Sequence, residues 1–324
     1  MTEQKELFAK PSPFDEERAK SIPHLIRFGT STWTYEGWKG QVYQKHYRSD
    51  QDFKRNSLSE YASHAWFRTV GIDSFFYNPP KQEVLSSYAA QVPETFQWVS
   101  KVWEHLTIPK FPTHARYGTQ KGQLNSDFLN AKLFEEAVLY KYRSPKIFEH
   151  TGPFVLQFPH IAPSVMSPDE FIERLHSFLQ SLPRDFRYAT EVRNKEYLQS
   201  SYFEALNQSK ATHCFNHWSY MPCLKDQMKA AASAGGLSAD FFVARILTPL
   251  GTSYQEAVDR FQPYRNLQCP LPDMRADVLT LTKRALQTNR TAFVIINNRA
   301  EGNAPLTIEA IGTALGKSLE QDRR

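Results

Sequence analysis

The sequence predicts an α/β protein that folds as a single TIM-like (β/α)8 barrel. Eight short segments rich in Val, Ile, Phe and Tyr recur along the 324 residues, and helix-like segments lie between them. Such an alternation is typical of a parallel sheet whose strands are buried on both faces. Because we find neither an internal repeat nor a linker, one domain is favoured over two, and a doubly wound open sheet is the alternative.

The strands are predicted from short apolar runs, each rich in β-branched or aromatic residues. In chain order, the predicted strands are residues 24–31, 69–75, 96–102, 153–158, 187–192, 211–216, 241–246 and 292–297. Between them, helix signals are clearest in SLSEYASHAWF, SPDEFIERLHSFLQSLP and ADVLTLTKRALQ. The second of these begins with Ser167, Pro168 and two acids, which suits a helix N-terminus. The third carries an apolar stripe at helical spacing.

The two ends and two long connections lie outside this regular alternation. We expect a flexible N-terminal arm over residues 1–22, the barrel domain over 23–315 and a charged C-terminal tail over 316–324. The connections at 104–150 and 217–240 exceed ordinary loops. Long connections in compact domains are commonly functional or disordered.

Composition excludes several classes of protein. Aromatic residues make up 14% of the chain, too many for a disordered protein, and the net charge of +5 is too dispersed for a dedicated DNA-binding surface. No run approaches the roughly 18 apolar residues of a membrane span, and the charged N-terminus lacks a signal peptide's apolar core. The three cysteines form no CxxC pair, which indicates a reducing compartment. We therefore expect a cytoplasmic protein with no membrane partner.

Polar residues stand at the end of nearly every predicted strand. A parallel barrel forms its active site at the C-terminal ends of the strands, so these residues are the candidates for chemistry. Asp73 and Glu191 are the catalytic candidates, one of them acting as general acid or base. The candidates for binding an anionic substrate are Lys101, Gln157, Arg193, Arg245 and Asn297. The alternative interpretation is that the charged members only form ion pairs that hold the barrel mouth together.

The stretch FGTSTWTYEGWKG contains the end of the first predicted strand and the loop that leaves it. Its glycine spacing fits neither GxGxxG nor GxxxxGK[ST], so a standard nucleotide phosphate loop is not expected. Its hydroxyl residues would let a ligand approach, and its aromatic residues would either stack on a sugar or base or only pack over the barrel. A further candidate, Tyr77, follows the second predicted strand. The additional substrate-binding candidates are therefore Thr30, Ser31, Trp33, Tyr35, Trp38 and Tyr77.

The residue pattern predicts neither a metal site nor a covalent nucleophile of the serine or cysteine type. A hard-metal site needs more converging carboxylates or histidines than this set contains, and the histidines lack ligand spacing with an adjacent acid. No GxSxG elbow occurs, and Cys214 is interpreted as a small buried hydrophobe. We therefore expect no metal and no cofactor.

The chain resembles the YecE-like family, domain of unknown function family 72, from Phe28 almost to its C-terminus. The similarity rests on ordered pieces that include FGTSTWTYEGWKG, TVGIDSFFYNPP, FQWVSK, GPFVLQFP, EVRNKEYL, FFVARI and INNRAEGNAP. The resemblance implies a TIM-type barrel and no established reaction. Family histidines are replaced here by Asn194, Leu247 and Arg299, so any proton transfer they perform elsewhere is altered, whereas the charged residues of the pocket survive.

Three functions are compatible with these residues, and the oligomeric state stays open. The first is a metal-independent hydrolase, lyase or isomerase that uses acid/base chemistry on a small anionic or sugar-like substrate, such as a phosphosugar or nucleotide. The second is a nucleic-acid-binding or processing protein that uses the segment KFPTHARYG and the aromatic residues. The third is a non-catalytic barrel that binds a ligand or partner, which the replaced histidines favour.

Overall fold

Eight parallel strands form one nearly closed barrel surrounded by helices in the computed structural model, which describes residues 14–322. The strands are Ile26–Thr30 (β1), Gly71–Ile72 (β2), Trp98–Lys101 (β3), Thr151–Gln157 (β4), Tyr188–Glu191 (β5), Thr212–His217 (β6), Phe241–Ile246 (β7) and Thr291–Ile296 (β8). They pair in the order β1-β8-β7-β6-β5-β4-β3-β2. The predicted TIM-like barrel is therefore confirmed and the open doubly wound sheet is excluded.

Helices lie before β1, between successive strands and after β8. The α-helices are Glu16–Ser21 (α1), Asp50–Asn56 (α2), Leu58–Ser63 (α3), Gln82–Ala89 (α4), Ala131–Phe134 (α5), Tyr140–Tyr142 (α6), Pro145–Phe148 (α7), Pro168–Ser181 (α8), Ser200–Gln208 (α9), Leu224–Ser233 (α10), Tyr254–Phe261 (α11), Pro272–Gln287 (α12) and Ala304–Asp322 (α13). Short 3-10 helices span Glu36–Trp38, Asp73–Phe76, Glu104–Leu106, Ala115–Gln120 and Lys195–Tyr197, and a π-helix spans Glu135–Leu139. The three clearest helix signals in the sequence correspond to α3, α8 and α12.

The second strand is much shorter than the sequence predicts. The expected strand covers residues 69–75, but β2 contains only Gly71 and Ile72, and the chain then turns into the 3-10 helix Asp73–Phe76. Both Phe75 and Phe76 are buried in that turn. A short apolar run indicates that a segment is buried, but it does not distinguish a strand from a short helix. The predicted strand is therefore longer than the observed one. The turn brings Asp73 to the mouth of the barrel.

The barrel closes where β1 lies beside the segment that leads into β2. The amide of Arg68 donates to the carbonyl of Phe28 at 2.9 Å. A Cβ atom at Gly29 would lie 2.0 Å from the carbonyl oxygen of Thr69, so only glycine allows this approach of the two backbones.

Side chains that point into the barrel form two layers, which we call the apolar layer and the polar layer. Side chains along a strand alternate with a period of two, so inward positions recur every second residue. The apolar layer includes the packed side chains of Val99, Val155, Ala189, Val243 and Ile295. Two residues further along the same segments, the polar layer consists of Lys101, Gln157, Glu191, Arg245 and Asn297.

The two ends of the described chain lie against each other. Helix α1 packs on α13, and Arg18 forms an ion pair with Glu320 at 2.8 Å. Residues 1–13 of the predicted arm and the last two residues of the predicted tail lie outside the described residues. The domain boundary predicted after residue 315 falls within α13. Within residues 14–322, no helix has both the length and the apolar character needed to cross a membrane.

Candidate functional site

A cavity of about 830 Å³ opens at the C-terminal ends of the strands, above the polar layer. Active sites of TIM-like barrels form at this end, because the loops that follow the strands surround it. Eight of the residues predicted from the sequence line this cavity: Ser31, Asp73, Tyr77, Lys101, Gln157, Arg193, Arg245 and Asn297. The structure thus brings together residues that are distant in the sequence.

A network of ion pairs forms the floor of the cavity. Glu191 is fully buried, and its Oε2 accepts a hydrogen bond from Arg245 Nη1 at 2.5 Å while its Oε1 contacts Arg193 Nη2. Arg245 Nη2 in turn lies 2.9 Å from both carboxylate oxygens of Asp73. Gln157 Oε1 lies 3.5 Å from each arginine. Glu191 therefore fixes both arginines from below the cavity.

In this network, each charged group is stabilised by neighbours of opposite charge. Burial acts to raise the pKa of Glu191, but the positive charges of Arg193 and Arg245 outweigh burial and lower that pKa. Burial lowers the pKa of Arg193 to about 10, against the attraction of Glu191. For Arg245, burial is outweighed by Asp73 and Glu191, and its pKa is raised. All three groups are consequently charged at neutral pH.

Lys101 reaches the same cavity from the end of β3 but has no ion-pair partner. Across residues 14–322, no carboxylate oxygen lies within 4.0 Å of its ammonium nitrogen. Its Nζ instead lies 3.7 Å from the centre of the Phe76 ring. Burial lowers the pKa of Lys101 to about 8, a shift that Asp73 opposes and Arg245 reinforces. Lys101 can therefore exchange its proton near neutral pH.

The cavity contains more donors and positive charge than acceptors. In the described part of the chain, Arg193 Nη1 and Ser31 Oγ are buried without a hydrogen-bond partner. In the described chain, Asp73 supplies the single carboxylate that lines the cavity. The cationic side chains that line it are Lys101, Arg193, Arg245 and Arg299. Unpaired buried donors are costly, so this arrangement suits a pocket that an anion completes.

Five predicted site residues do not line this cavity. Glu191 lies beneath its floor, and Trp33 and Trp38 are buried, with 3% and 1% of their surfaces exposed. Thr30, Tyr35 and Trp38 line a smaller cavity of about 120 Å³ beside the mouth. The aromatic residues that follow β1 thus pack against the barrel, and their contact with a ligand stays a prediction.

The rim of the cavity is aromatic, but mostly through residues that sequence reasoning missed. Tyr220 and Tyr254 are 78% and 51% exposed there, beside the predicted Tyr77. Trp218 is half-buried, with the Arg193 guanidinium 4.1 Å from its ring centre. The aromatic run directly after β6 was a usable signal for Trp218 and Tyr220. Tyr254 begins a helix and carries no comparable signal.

The three positions at which family histidines are replaced have different locations. Asn194 is buried, and its side chain holds Ile161 by accepting from its amide at 2.8 Å and donating to its carbonyl at 3.0 Å. Leu247 and Arg299 line the cavity. The Arg299 guanidinium lies 4.4 Å from the ring centre of Tyr254, so this replacement adds a positive charge to the rim.

Neither a metal cluster nor an accessible thiol is found at the mouth in the described structure. Residues 14–322 contain no group of three or more His, Cys, Asp and Glu side chains arranged to hold a metal ion. Cys214 is buried beneath the floor, 3.9 Å from Glu191 Oε2, and burial raises the pKa of its thiol. The accessible chemistry of the mouth is therefore that of its amine, guanidinium, carboxylate, hydroxyl and amide groups and of the imidazole of His160.

A second cavity, of about 600 Å³, lies between α10 and α12 beside the N-terminal end of β7. Its basic side chains are largely engaged within the protein. Lys283 donates to Ser318 at 2.8 Å, and Arg290 donates to the carbonyl of Leu237 at 2.6 Å. The mouth of the barrel is therefore the better candidate for a functional site.

Comparison with known proteins supports the same fold. A family model described as "Protein of unknown function DUF72" matches residues 27–324, and no curated protein matches. Among solved structures, a DUF72 family protein from Enterococcus faecalis V583 is 17% identical, with a TM-score of 0.57 over 88% of this chain and 94% of that one. One from Thermotoga maritima MSB8 is 16% identical, with a TM-score of 0.54 over 91% and 99%. At this identity the structural similarity concerns the fold alone.

Proposed function

The chain belongs to the DUF72 family, whose description names no activity. We therefore propose a function from the chemistry of the residues at the mouth of the barrel. The mouth would bind a small anionic substrate, of the phosphosugar or nucleotide class, and convert it by proton transfer. The unpaired donors carry this proposal, since Arg193 Nη1 and Ser31 Oγ are buried without a hydrogen-bond partner in the described chain and both residues line the cavity. The volume of about 830 Å³ suits a ligand of that size.

The proposal gives the charged residues different roles. Arg193 and Lys101 would bind the anion, because each keeps donor capacity that the protein leaves unused. Asp73 would be the acid or base, because 34% of its side chain is exposed and it lines the cavity. Glu191 would act as a positioning residue for Arg193 and Arg245, because it is buried and both of its oxygens face arginines.

Calorimetric titration with a sugar phosphate and with its neutral parent sugar tests the binding step. We expect the phosphorylated ligand to bind at least about tenfold more tightly, and Lys101→Met and Arg193→Met each to weaken it at least about tenfold. Lys225→Met is the matched control, because Lys225 is exposed and lies outside the cavity. Equal affinity for the neutral sugar would reject an anion site.

Turnover tests the catalytic step. Nuclear magnetic resonance would follow each ligand that binds during incubation with the full chain. We expect Asp73→Asn to retain binding within about threefold and to lose turnover, because the amide cannot exchange the proton. Full turnover by Asp73→Asn would reject its role, and binding without turnover by the native chain would favour a non-catalytic barrel.

A second candidate function is the binding of single-stranded nucleic acid, and one contact at the rim supports it. Arg116, in the segment KFPTHARYG, lies with its guanidinium 5.1 Å from the ring centre of the exposed Tyr77 and pairs with Glu104 at 2.6 Å. Exposed aromatic rings beside arginines suit base stacking and phosphate binding. This candidate predicts binding of a single-stranded oligonucleotide that weakens steeply with salt and with Arg116→Ala. No binding at low salt would eliminate it.

A further inference from the structure

We propose that Lys101 forms a Schiff base with a small carbonyl compound that carries an acidic group, such as a 2-oxo acid. This inference rests on the proposed function, because the acidic group would occupy the anion site beside Arg193. It adds a covalent role for one residue and a narrower class of substrate. It goes beyond the sequence, which assigns Lys101 only to binding.

The surroundings of Lys101 differ from those of a lysine that stabilises the fold. A lysine that leaves solvent is normally paired, and the partly buried Lys283 is paired with Ser318 at 2.8 Å and Asp322 at 2.9 Å. Lys101 is partly buried at the end of β3, yet in the described chain it has neither a carboxylate within 4.0 Å nor a hydrogen-bond acceptor. Its amine lies over the face of Phe76 and lines the cavity.

These surroundings increase the fraction of the neutral amine, which is the nucleophilic form. Burial lowers the pKa of Lys101 to about 8; the negative charges of Asp73 and Glu191 oppose this shift, and the positive charges of Arg245 and Arg193 reinforce it. A lysine that is desolvated or placed beside other cations is activated in this way for attack on a carbonyl carbon.

The covalent step balances without an oxidant or a reductant. The neutral amine of Lys101 attacks the carbonyl carbon, a C–N bond forms, and the carbonyl π electrons move to oxygen. One proton moves from nitrogen to that oxygen and gives a carbinolamine. The hydroxyl and the second nitrogen-bound proton then leave as water, and the C=N bond forms. Asp73 lines the same cavity, and its carboxylate is suited to carry the proton from nitrogen to oxygen.

The hydrogen-bond donors that have no partner in the described chain indicate which group the substrate carries beside its carbonyl. Arg193 Nη1 and Ser31 Oγ are buried without an acceptor in residues 14–322, and Arg193 is held in place by Glu191. A carboxylate bound beside Arg193 would satisfy the unpaired guanidinium donor in the cavity that Lys101 also lines. A neutral carbonyl compound would leave that donor unpaired.

Reductive trapping with pyruvate as the probe tests the proposal. The full chain is incubated with pyruvate and sodium cyanoborohydride, and intact mass and peptide mapping locate the reduced adduct. We expect one adduct per chain at Lys101, with acetone labelling Lys101 at least about tenfold less than pyruvate does. Lys101→Arg should lose the adduct, because arginine is not a nucleophile here. The control Lys225→Met should be labelled like the native chain.

The outcomes separate this inference from the proposed function. If the sugar phosphate binds but pyruvate gives no adduct at Lys101, the Schiff base is overturned and the anion site stands. If neither occurs, both proposals fail. Labelling spread evenly over surface lysines, or equal labelling by acetone, also overturns the inference, because either result shows no selective site for an acidic carbonyl compound.

Discussion

The apolar and polar layers of the barrel lie two residues apart on the same strands, yet their side chains are accommodated differently. Val155, Ala189 and Val243 pack against one another and need only a matching shape. Two residues further on, Glu191 and Arg245 need a partner of opposite charge at hydrogen-bond distance, and they have it. Lys101 also lies in the polar layer, but it has no such partner among residues 14–322. The comparison shows which residue of the mouth is left available to a ligand.

Removing the central carboxylate should have the largest effect on stability. Glu191→Gln leaves two buried arginines with less negative charge, and we expect a loss of about 3–5 kcal/mol in the free energy of unfolding at pH 7. Urea denaturation followed by circular dichroism measures it. Glu301→Gln is a comparison, because Glu301 is equally buried but its partner Arg275 is 24% exposed, and a smaller loss is expected.

The same carboxylate predicts a dependence on pH. Because the pKa of Glu191 is lowered in the folded protein, its contribution is present above its unfolded pKa and is lost as pH falls through the folded pKa. The difference between the native chain and Glu191→Gln should therefore shrink in acid. A loss below about 1 kcal/mol at pH 7, or one that is constant with pH, would contradict the central role of Glu191.

A cavity in the apolar layer should have the next largest effect. Ile295 is fully buried, and Ile295→Ala should lower the free energy of unfolding by about 3 kcal/mol. Because no charge is removed, this loss should be nearly independent of pH, and affinity for the sugar phosphate should stay within about twofold. A tenfold loss of affinity would show that the two layers are coupled more tightly than their packing indicates.

Lys101→Met should stabilise the protein, in contrast to the two preceding variants. It removes an unpaired, partly buried cation, and we expect a gain of about 1–2 kcal/mol at pH 7. The pKa of Lys101 is lowered to about 8 from its ordinary 10.5, so between these values the unfolded chain binds more protons than the folded one. Stability of the native chain therefore rises with pH in this window, and the advantage of methionine shrinks.

Denaturation at pH 7 and pH 10 measures this change, with Lys225→Met as the exposed control. A loss of stability in Lys101→Met at pH 7 would show that the ammonium has a structural role in the unliganded protein. That result would remove the contrast between Lys101 and the paired members of the polar layer.

Of the four variants of the barrel interior, Gln157→Met should have the smallest effect on the free energy of unfolding. The contacts of Gln157 Oε1 with both arginines are long, at 3.5 Å, and such bonds contribute little. We expect a loss of about 0.5–1 kcal/mol by denaturation, because the ion pairs with Glu191 remain. A loss above about 2 kcal/mol would mean that the amide, and not only Glu191, holds the arginines in place.

Much of the site could be predicted because strand ends are visible in the sequence. Polar residues two positions beyond an apolar inward residue, such as Lys101 after Val99 and Arg245 after Val243, follow from the period of a strand. Tyr254 could not be predicted in this way, because it reaches the rim from the first residue of α11 and not from the end of a strand. Trp33 stands near a strand end but is buried, and aromatic composition alone does not distinguish packing from ligand contact.

The sequence by itself determined the eight-stranded barrel, the end of it that carries the polar residues and the family, because periodicity and motif order are local properties. Only the tertiary structure decided which charges neutralise each other. It paired Glu191 with Arg193 and Arg245 and placed Tyr254 at the rim. It also left Lys101 over Phe76 with no ion-pair partner in the described part of the chain. Pairing depends on distances between residues far apart in the chain, and these distances exist only once the strands close into a barrel.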